Sequence, residues 1–509
     1  MKVIPLPLYY EEKEGQLILT DTTFHFSEEL AESAAFFQQF ILMKTGINLR
    51  SEKYAQINFV LDFNLGEEEY QLDISEHSLM LAARTDSGAY YGIQTLIQLL
   101  EYKDGKYYYP EIYIEDRPKF AYRGFMFDIA RHFFGKGEIM RLIDLISFHK
   151  FNYLHLHLTD DQGWRLESEK YPRLQEISSR RRGTILKDGT IDGIAHYGYL
   201  KKQELKEIVE YARLRHLEVI PEIDMPGHMT SLLAAYPELL CSGVNDNIEV
   251  RSAWGISKDI LCAGNELTYK ILEDLLLEVM EVFPSRYIHL GGDEAPKDNW
   301  RNCSLCQEKI KKENLENEEA LQAYFFNHFQ NFLSKYGRVA IGWNDGLHPD
   351  LNESVIIQHW KPGTRKKTVK AANSSRKVIM SDFLYLYLDY PYAMTPLAKT
   401  YNYNPLKGIE KEENILGIEA PLWTEWVANR AKIDFQIFPR IAAVAEVAWT
   451  APELKDYDSF RKRLNYLYPI YQKMGVNFAR NKEIKPGFLK RIINTRSWWK
   501  NEDSEFLKE

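Results

Sequence analysis

Cysteine is scarce in this chain, with four among 509 residues, at Cys241, Cys262, Cys303 and Cys306. That is too few for a disulfide scaffold, so a packed core has to hold the fold. Positive charge is not in excess. Lys and Arg number 64 against 73 Asp and Glu, for a net charge of −9. Nonspecific binding to nucleic acid or anionic lipid needs basic surface, so neither is expected. No apolar run approaches the length of a membrane span, and no low-complexity segment is present. The opening Met1-Lys2-Val3-Ile4-Pro5-Leu6-Pro7 lacks the uninterrupted apolar stretch of a secretory signal, which points to the cytoplasm. What the chain does hold is 45% hydrophobic residues, including 10 Trp, 32 Tyr and 26 Phe. This supply suits a sizeable core and either several domains or one large barrel with an appendage.

Cys303-x-x-Cys306 has the spacing of a zinc-ligand pair, but no second close pair accompanies it. Two reduced thiols are therefore the expectation. Residues 1–117 mix short strands and helices. Gln56–Leu61 and Tyr70–Ile74 alternate like half-buried strands, while Ser27–Lys44 and Gly92–Tyr102 carry helical periodicity. Asp116-Arg117-Pro118 reads as a linker, because proline disfavours helix in the residue before it.

From residue 118 to 509 a strand–helix rhythm takes over. Eight strand candidates follow in order: Gly124–Ile129, Tyr153–Leu158, Glu218–Ile223, Tyr287–Leu290, Val339–Trp343, Val355–His359, Val378–Leu388 and Ile415–Leu422. Lys136–His149, Lys201–Arg215, Leu267–Phe283 and Glu318–Lys335 read as helices between them. Eightfold alternation predicts a (β/α)8 TIM barrel of the α/β class, preceded by a smaller α+β domain. From about Asp456 the chain reads as a helical tail ending in a charged, Trp-containing segment, expected on the barrel exterior. Polar and aromatic residues collect at the C-terminal ends of the strands, where barrel enzymes build their sites.

The densest of these ends is His289-Leu290-Gly291-Gly292-Asp293-Glu294. Its glycines allow a close approach to the backbone. Two adjacent confined carboxylates resist joint ionisation, so one should be held protonated, as a general acid requires. Taken alone, Asp293-Glu294 would more often be an ion-paired strand end or a helix cap. His155-x-His157 puts two imidazoles on one strand face, and with His228 they suggest a metal-dependent barrel hydrolase as a rival reading.

The full set of motifs resembles the family-20 glycoside hydrolases, the β-N-acetylhexosaminidases. The likeness is patchy before Pro118 and dense from there to Trp449. Leu156 departs from it, since a Trp is common between the two histidines. The resemblance implies an exo-acting enzyme that releases terminal β-linked GlcNAc, and also GalNAc if the pocket admits it, from oligosaccharides or glycoconjugates. It implies no cofactor and no metal. It assigns Glu294 as acid/base, Asp293 as the group orienting the 2-acetamido arm, and Asp160 with His228 as a relay to Glu294. It assigns Tyr387 to the acetamido oxygen and Trp343, Trp360 and Trp423 to an aromatic cage. Arg131, Asp389 and Glu425 are to grip the sugar hydroxyls. Arg123 and Glu446 match family positions but read as structural. A member releasing a disaccharide and a homodimer completing a neighbour's site both stay open.

Overall fold

The computed structural model describes residues 1–244, 247–487, 491–493 and 495–496. The Trp-containing end of the tail lies outside the described residues. The first part of the chain builds an eight-stranded mixed sheet. Its two long strands, Tyr9–Leu19 and Lys106–Asp116, pair antiparallel. Helices Ala31–Thr45 and Asp86–Leu99 pack with it around a core that includes Phe24, Phe37, Phe59, Tyr91 and Leu96. The second helix begins six residues before the expected Gly92, because Thr85 Oγ1 caps it by accepting from Gly88 N at 3.3 Å. It ends at Leu99, and Glu101–Lys103 is a short strand instead.

The second part is a closed barrel of eight parallel strands. In chain order these are Tyr122–Asp128, Tyr153–His157, Glu218–Glu222, Tyr287–His289, Val339–Trp343, Ile356–His359, Val378–Met380 and Ile415–Leu422. Seven of the eight begin on the position read from the periodicity or within one residue of it. The first begins two residues earlier, at Tyr122, and the eighth agrees at both ends. The seventh is the correction. Only Val378–Met380 is strand, and Phe383–Leu386 turns into a short helix that carries Tyr387 to the barrel mouth. The apolar run through Tyr387 and Leu388 looks like one long strand because short buried helices and strands have the same composition.

Strand alternation sorts the core. On the second strand, Leu154 and Leu156 pack outward into the helix layer, while His155 and His157 face the interior. The barrel bottom is closed by Tyr122, Ile220, Ile341, Ile356 and Ile379. Above them lies a buried polar layer. Glu419 accepts from Tyr122 Oη at 2.5 Å and Gln358 Nε2 at 2.6 Å, and meets His155 Nδ1 at 3.0 Å. The tail helix Tyr457–Lys473 buries Phe460, Leu464, Leu467 and Tyr471 against the outside of the barrel, and Tyr471 Oη lies 2.9 Å from His149 Nε2.

Two ion pairs join the parts, one partly buried and one fully buried. Arg123 forks onto Glu68 at 2.7 and 2.8 Å, and Lys150 meets Asp116 at 2.9 Å. Trp449 donates its indole N–H to Asp116 at 2.8 Å. Glu446 is held by Arg463 and accepts from Leu6 N at 2.7 Å, a structural role like that of Arg123. The fold also corrects the picture of an isolated Cys303/Cys306 pair. Cys241 and Cys262, remote in sequence, join them in one buried cluster. No helix among the described residues is long and apolar enough to cross a membrane.

Candidate active site

The loops at the C-terminal ends of the strands enclose a cavity of about 180 Å³. Arg131, His228, Asp293, Glu294, Trp360, Tyr387, Asp389, Trp423 and Glu425 line it. Nine of the eleven residues singled out in the sequence therefore converge on one space. Asp160 and Trp343 lie one layer below, both buried.

The Gly-Gly turn after the fourth strand places the acidic pair. Gly291 (φ +66°) and Gly292 (φ +92°) occupy the left-handed region. A Cβ on Gly291 would stand 1.7 Å from Asp224 Oδ1. Asp224 in turn accepts from Gly292 N at 3.0 Å, so strand three clamps the turn from strand four. Glu294 itself has φ +44°, a strained value for a residue with a side chain.

Asp293 is buried, and its Oδ1 has no hydrogen-bond partner. Burial, followed by the charge of Glu294, raises its pKa to about 7 against the opposing pull of His228. Burial, and after it Asp293, also pushes Asp224 well above the ordinary carboxylate value. His228 Nε2 stands 3.8 Å from Asp293 Oδ2 and 3.7 Å from Glu294 Oε2, in charge contact with both. Its Nδ1 lies 3.2 Å from Asp160 Oδ1. Burial opposes the charged form of both groups. For Asp160 the Arg131 guanidinium, ahead of His228, outweighs burial and holds the carboxyl far down. For His228 the Asp160 carboxylate does the same in the opposite direction.

Residues 120–452 match the family model for the glycosyl hydrolase family 20 catalytic domain, and residues 1–117 match the model for domain 2 of that family. The chain belongs to glycosyl hydrolase family 20. It is 35% identical over 511 residues to a β-hexosaminidase of Porphyromonas gingivalis, covering 94% of this chain and 64% of that protein's length. It is 34% identical over 442 residues to a β-hexosaminidase of Akkermansia muciniphila, covering 83% of this chain and 88% of the relative. Among solved structures, a β-N-acetylhexosaminidase of Bacteroides fragilis superposes with a TM-score of 0.84 at 32% identity, covering 94% of this chain and 96% of that one. A family-20 exo-β-N-acetylglucosaminidase of Vibrio harveyi, in complex with N-acetylglucosamine, gives 0.86 at 26% identity, covering 94% and 78%.

In this family-20 chain Arg131 sits at the first strand end. Its Nη2 meets Asp160 at 2.7 Å, its Nε lies 3.9 Å from Glu425, and its guanidinium covers the Trp423 ring at 4.8 Å. Trp360 donates its indole N–H to Asp345 at 2.6 Å and stacks near Tyr387, with ring centres 6.2 Å apart. Burial, then the nearby Asp293, raises the Tyr387 phenol well above its usual value and keeps it a hydroxyl donor. Trp343 is pinned by its indole N–H to Glu222 at 2.9 Å and lies 5.9 Å from Trp423, as a support beneath the wall.

Several residues were not read from the sequence. Glu222 is a buried hub that meets His155 at 3.1 Å and His289 at 2.9 Å and bonds His157 and Trp343. Trp254, Tyr390 and Trp426 line the cavity mouth. Their signal was weak because an aromatic outside a recognised strand end looks like core. The rival metal triad does not assemble. His155 is engaged by Glu222 and Glu419, and His157 by Glu222 and Asp160. Among the described residues, no converging ligand group contains His155, His157 and His228 together.

Proposed function

We propose that the protein is an exo-acting β-N-acetylhexosaminidase working by a retaining, substrate-assisted mechanism. The buried Asp293 Oδ1, lacking a partner beside Glu294 in an aromatic-walled cavity, carries this reading. A buried polar atom needs a partner, and the N–H of a 2-acetamido group supplies one. Adjacent residues are poorly placed to attack opposite faces of one anomeric carbon. Protein-nucleophile glycosidases instead hold two carboxyls about 5–5.5 Å apart across the bond. In the substrate-assisted alternative the acetamido oxygen attacks the anomeric carbon as the glycosidic C–O bond breaks. Glu294 passes its proton to the departing oxygen. Asp293 holds the N–H and balances the positive charge of the oxazolinium intermediate, and Tyr387 donates to the acetamido oxygen. Glu294 then takes a proton from water, which attacks the same carbon as its bond to the acetamido oxygen breaks, regenerating the acetamide and restoring the original configuration.

Arg131, Asp389 and Glu425 close the far end of the cavity around the terminal hydroxyls, and Trp360 and Trp423 wall the sugar. A volume of about 180 Å³ falls below the roughly 300 Å³ at which drug-sized sites begin, and so favours release of one sugar over two. The substrates are oligosaccharides or glycoconjugates ending in N-acetylhexosamine. Residues 1–117 act as a supporting domain and residues 118–509 as the catalytic one, since no cavity-lining residue comes from the first. The deciding experiment compares initial rates on an aryl β-N-acetylglucosaminide and the matching aryl β-glucoside. Turnover of the first alone is expected. Comparable turnover of both would remove the substrate-assisted mechanism.

A further inference from the structure

The four cysteines play no part in the chemistry above, yet the fold gathers them. Cys241 follows the turn Pro237–Leu239, and Cys262 precedes the helix Glu266–Val282. Cys303 and Cys306 sit at the start of the helix Ser304–Lys312. Two pairs therefore come from the loops after the third and fourth barrel strands. Their ligand atoms all lie within 4.8 Å of one another. Individual Sγ separations are 3.6 Å for Cys262–Cys303, 3.6 Å for Cys262–Cys306 and 3.9 Å for Cys241–Cys306. A tetrahedral zinc–thiolate site with bonds of about 2.3 Å sets its sulfurs about 3.8 Å apart. All four side chains are buried, and none is in a disulfide.

The surroundings are built to hold the sulfurs there. Gly264 lets its backbone lie against the other pair, because a Cβ would stand 2.3 Å from Cys306 N. Cys262 N donates to Leu239 O at 2.9 Å and ties the two ends of the first loop together. Ser242 Oγ reaches Cys303 Sγ at 3.5 Å. Trp300 donates its indole N–H to Leu261 O at 2.9 Å, and Leu261 N donates to Pro226 O at 3.0 Å, beside the Gly227-His228 turn.

We propose that Cys241, Cys262, Cys303 and Cys306 form a structural zinc site that staples the loop after the third strand to the loop after the fourth. Four converging thiolates leave no open coordination position, which fits a structural ion and not a catalytic one. Each thiol gives up its proton as the metal binds. The loop closed between Cys241 and Cys262 carries Trp254, Gly255 and Ile256 of the cavity wall, and Cys303 follows Glu294 by nine residues. The ion would thus steady the wall facing the leaving group without touching substrate.

The test measures metal and thiols on the full chain purified without chelator. About one zinc per chain is expected, released when the thiols are blocked with a mercurial. Cobalt exchanged into the site should show thiolate-to-metal charge transfer with the strong visible bands of a tetrahedral all-sulfur centre. Cys303→Ser should abolish that four-thiolate spectrum and lower the melting temperature. If that variant fails to fold, the metal content and cobalt spectrum of the unaltered chain still decide. Four free thiols without metal, a disulfide among the four, or bound iron would each overturn the assignment. So would zinc whose cobalt derivative shows only nitrogen and oxygen ligands.

Discussion

At the scale of single residues, the acidic pair divides its labour by environment. In the proposed mechanism Glu294, at the cavity surface, is the group that reaches the leaving oxygen. Glu294→Gln should slow hydrolysis by about 10²–10⁴-fold, with the deficit largest on substrates with poor leaving groups, as read from kcat across an aryl series. Asp293 is deeper and titrates near 7 instead of the ordinary 3.8. Between those pH values the folded chain keeps a proton that the unfolded chain has lost. This group therefore makes stability fall as pH rises from about 4 to about 7. Asn cannot ionise, so the melting temperature of Asp293→Asn relative to the parent should climb over that window. The same variant should lose acetamido-assisted turnover. A melting difference flat with pH would mean that Asp293 titrates elsewhere. Asp293 and Glu294 were legible because they stand in a contiguous motif. Glu222 was not, because what marks it is His155, His157, His289 and Trp343 arriving from three other strands.

At the scale of elements, the fourth strand and its turn carry the most consequence. Gly291→Ala forces a side chain into the left-handed region and onto Asp224. The turn must shift, and a displacement near 1 Å at a catalytic group costs about 10²-fold in rate. We expect kcat/KM to fall by that order, with the chain still folded by circular dichroism. An unchanged kcat/KM would show that the clamp does not position the acidic pair. Strand positions were readable from apolar runs and turn residues, since a barrel strand is buried on both faces. The seventh unit escaped because its run continues into a short buried helix. Composition cannot separate the two over a few residues.

At the scale of the whole molecule, the sheet domain is bonded to the barrel through buried charges. Lys150 and Asp116 are both fully buried, with Tyr70 and Trp449 completing the cluster. Lys150→Ala leaves Asp116 buried without its cation, which should cost about 3–5 kcal/mol. Urea unfolding should show that loss, while KM of the folded fraction stays unchanged because the cluster is remote from the cavity. A shift below about 1 kcal/mol would mean that the remaining hydrogen bonds suffice.

The sequence by itself determined the class of fold, the order of its strands and the rim residues. These follow from local periodicity and from motifs whose members are neighbours in the chain. Only the tertiary structure decided what depends on distant segments meeting: the hub at Glu222, the clamp of Asp224 on Gly291, the mouth formed by Trp254 and Trp426, and the four gathered cysteines. The reason is geometric. Closing the barrel brings loops from separate βα units within a few ångströms, and no spacing along the chain encodes that distance.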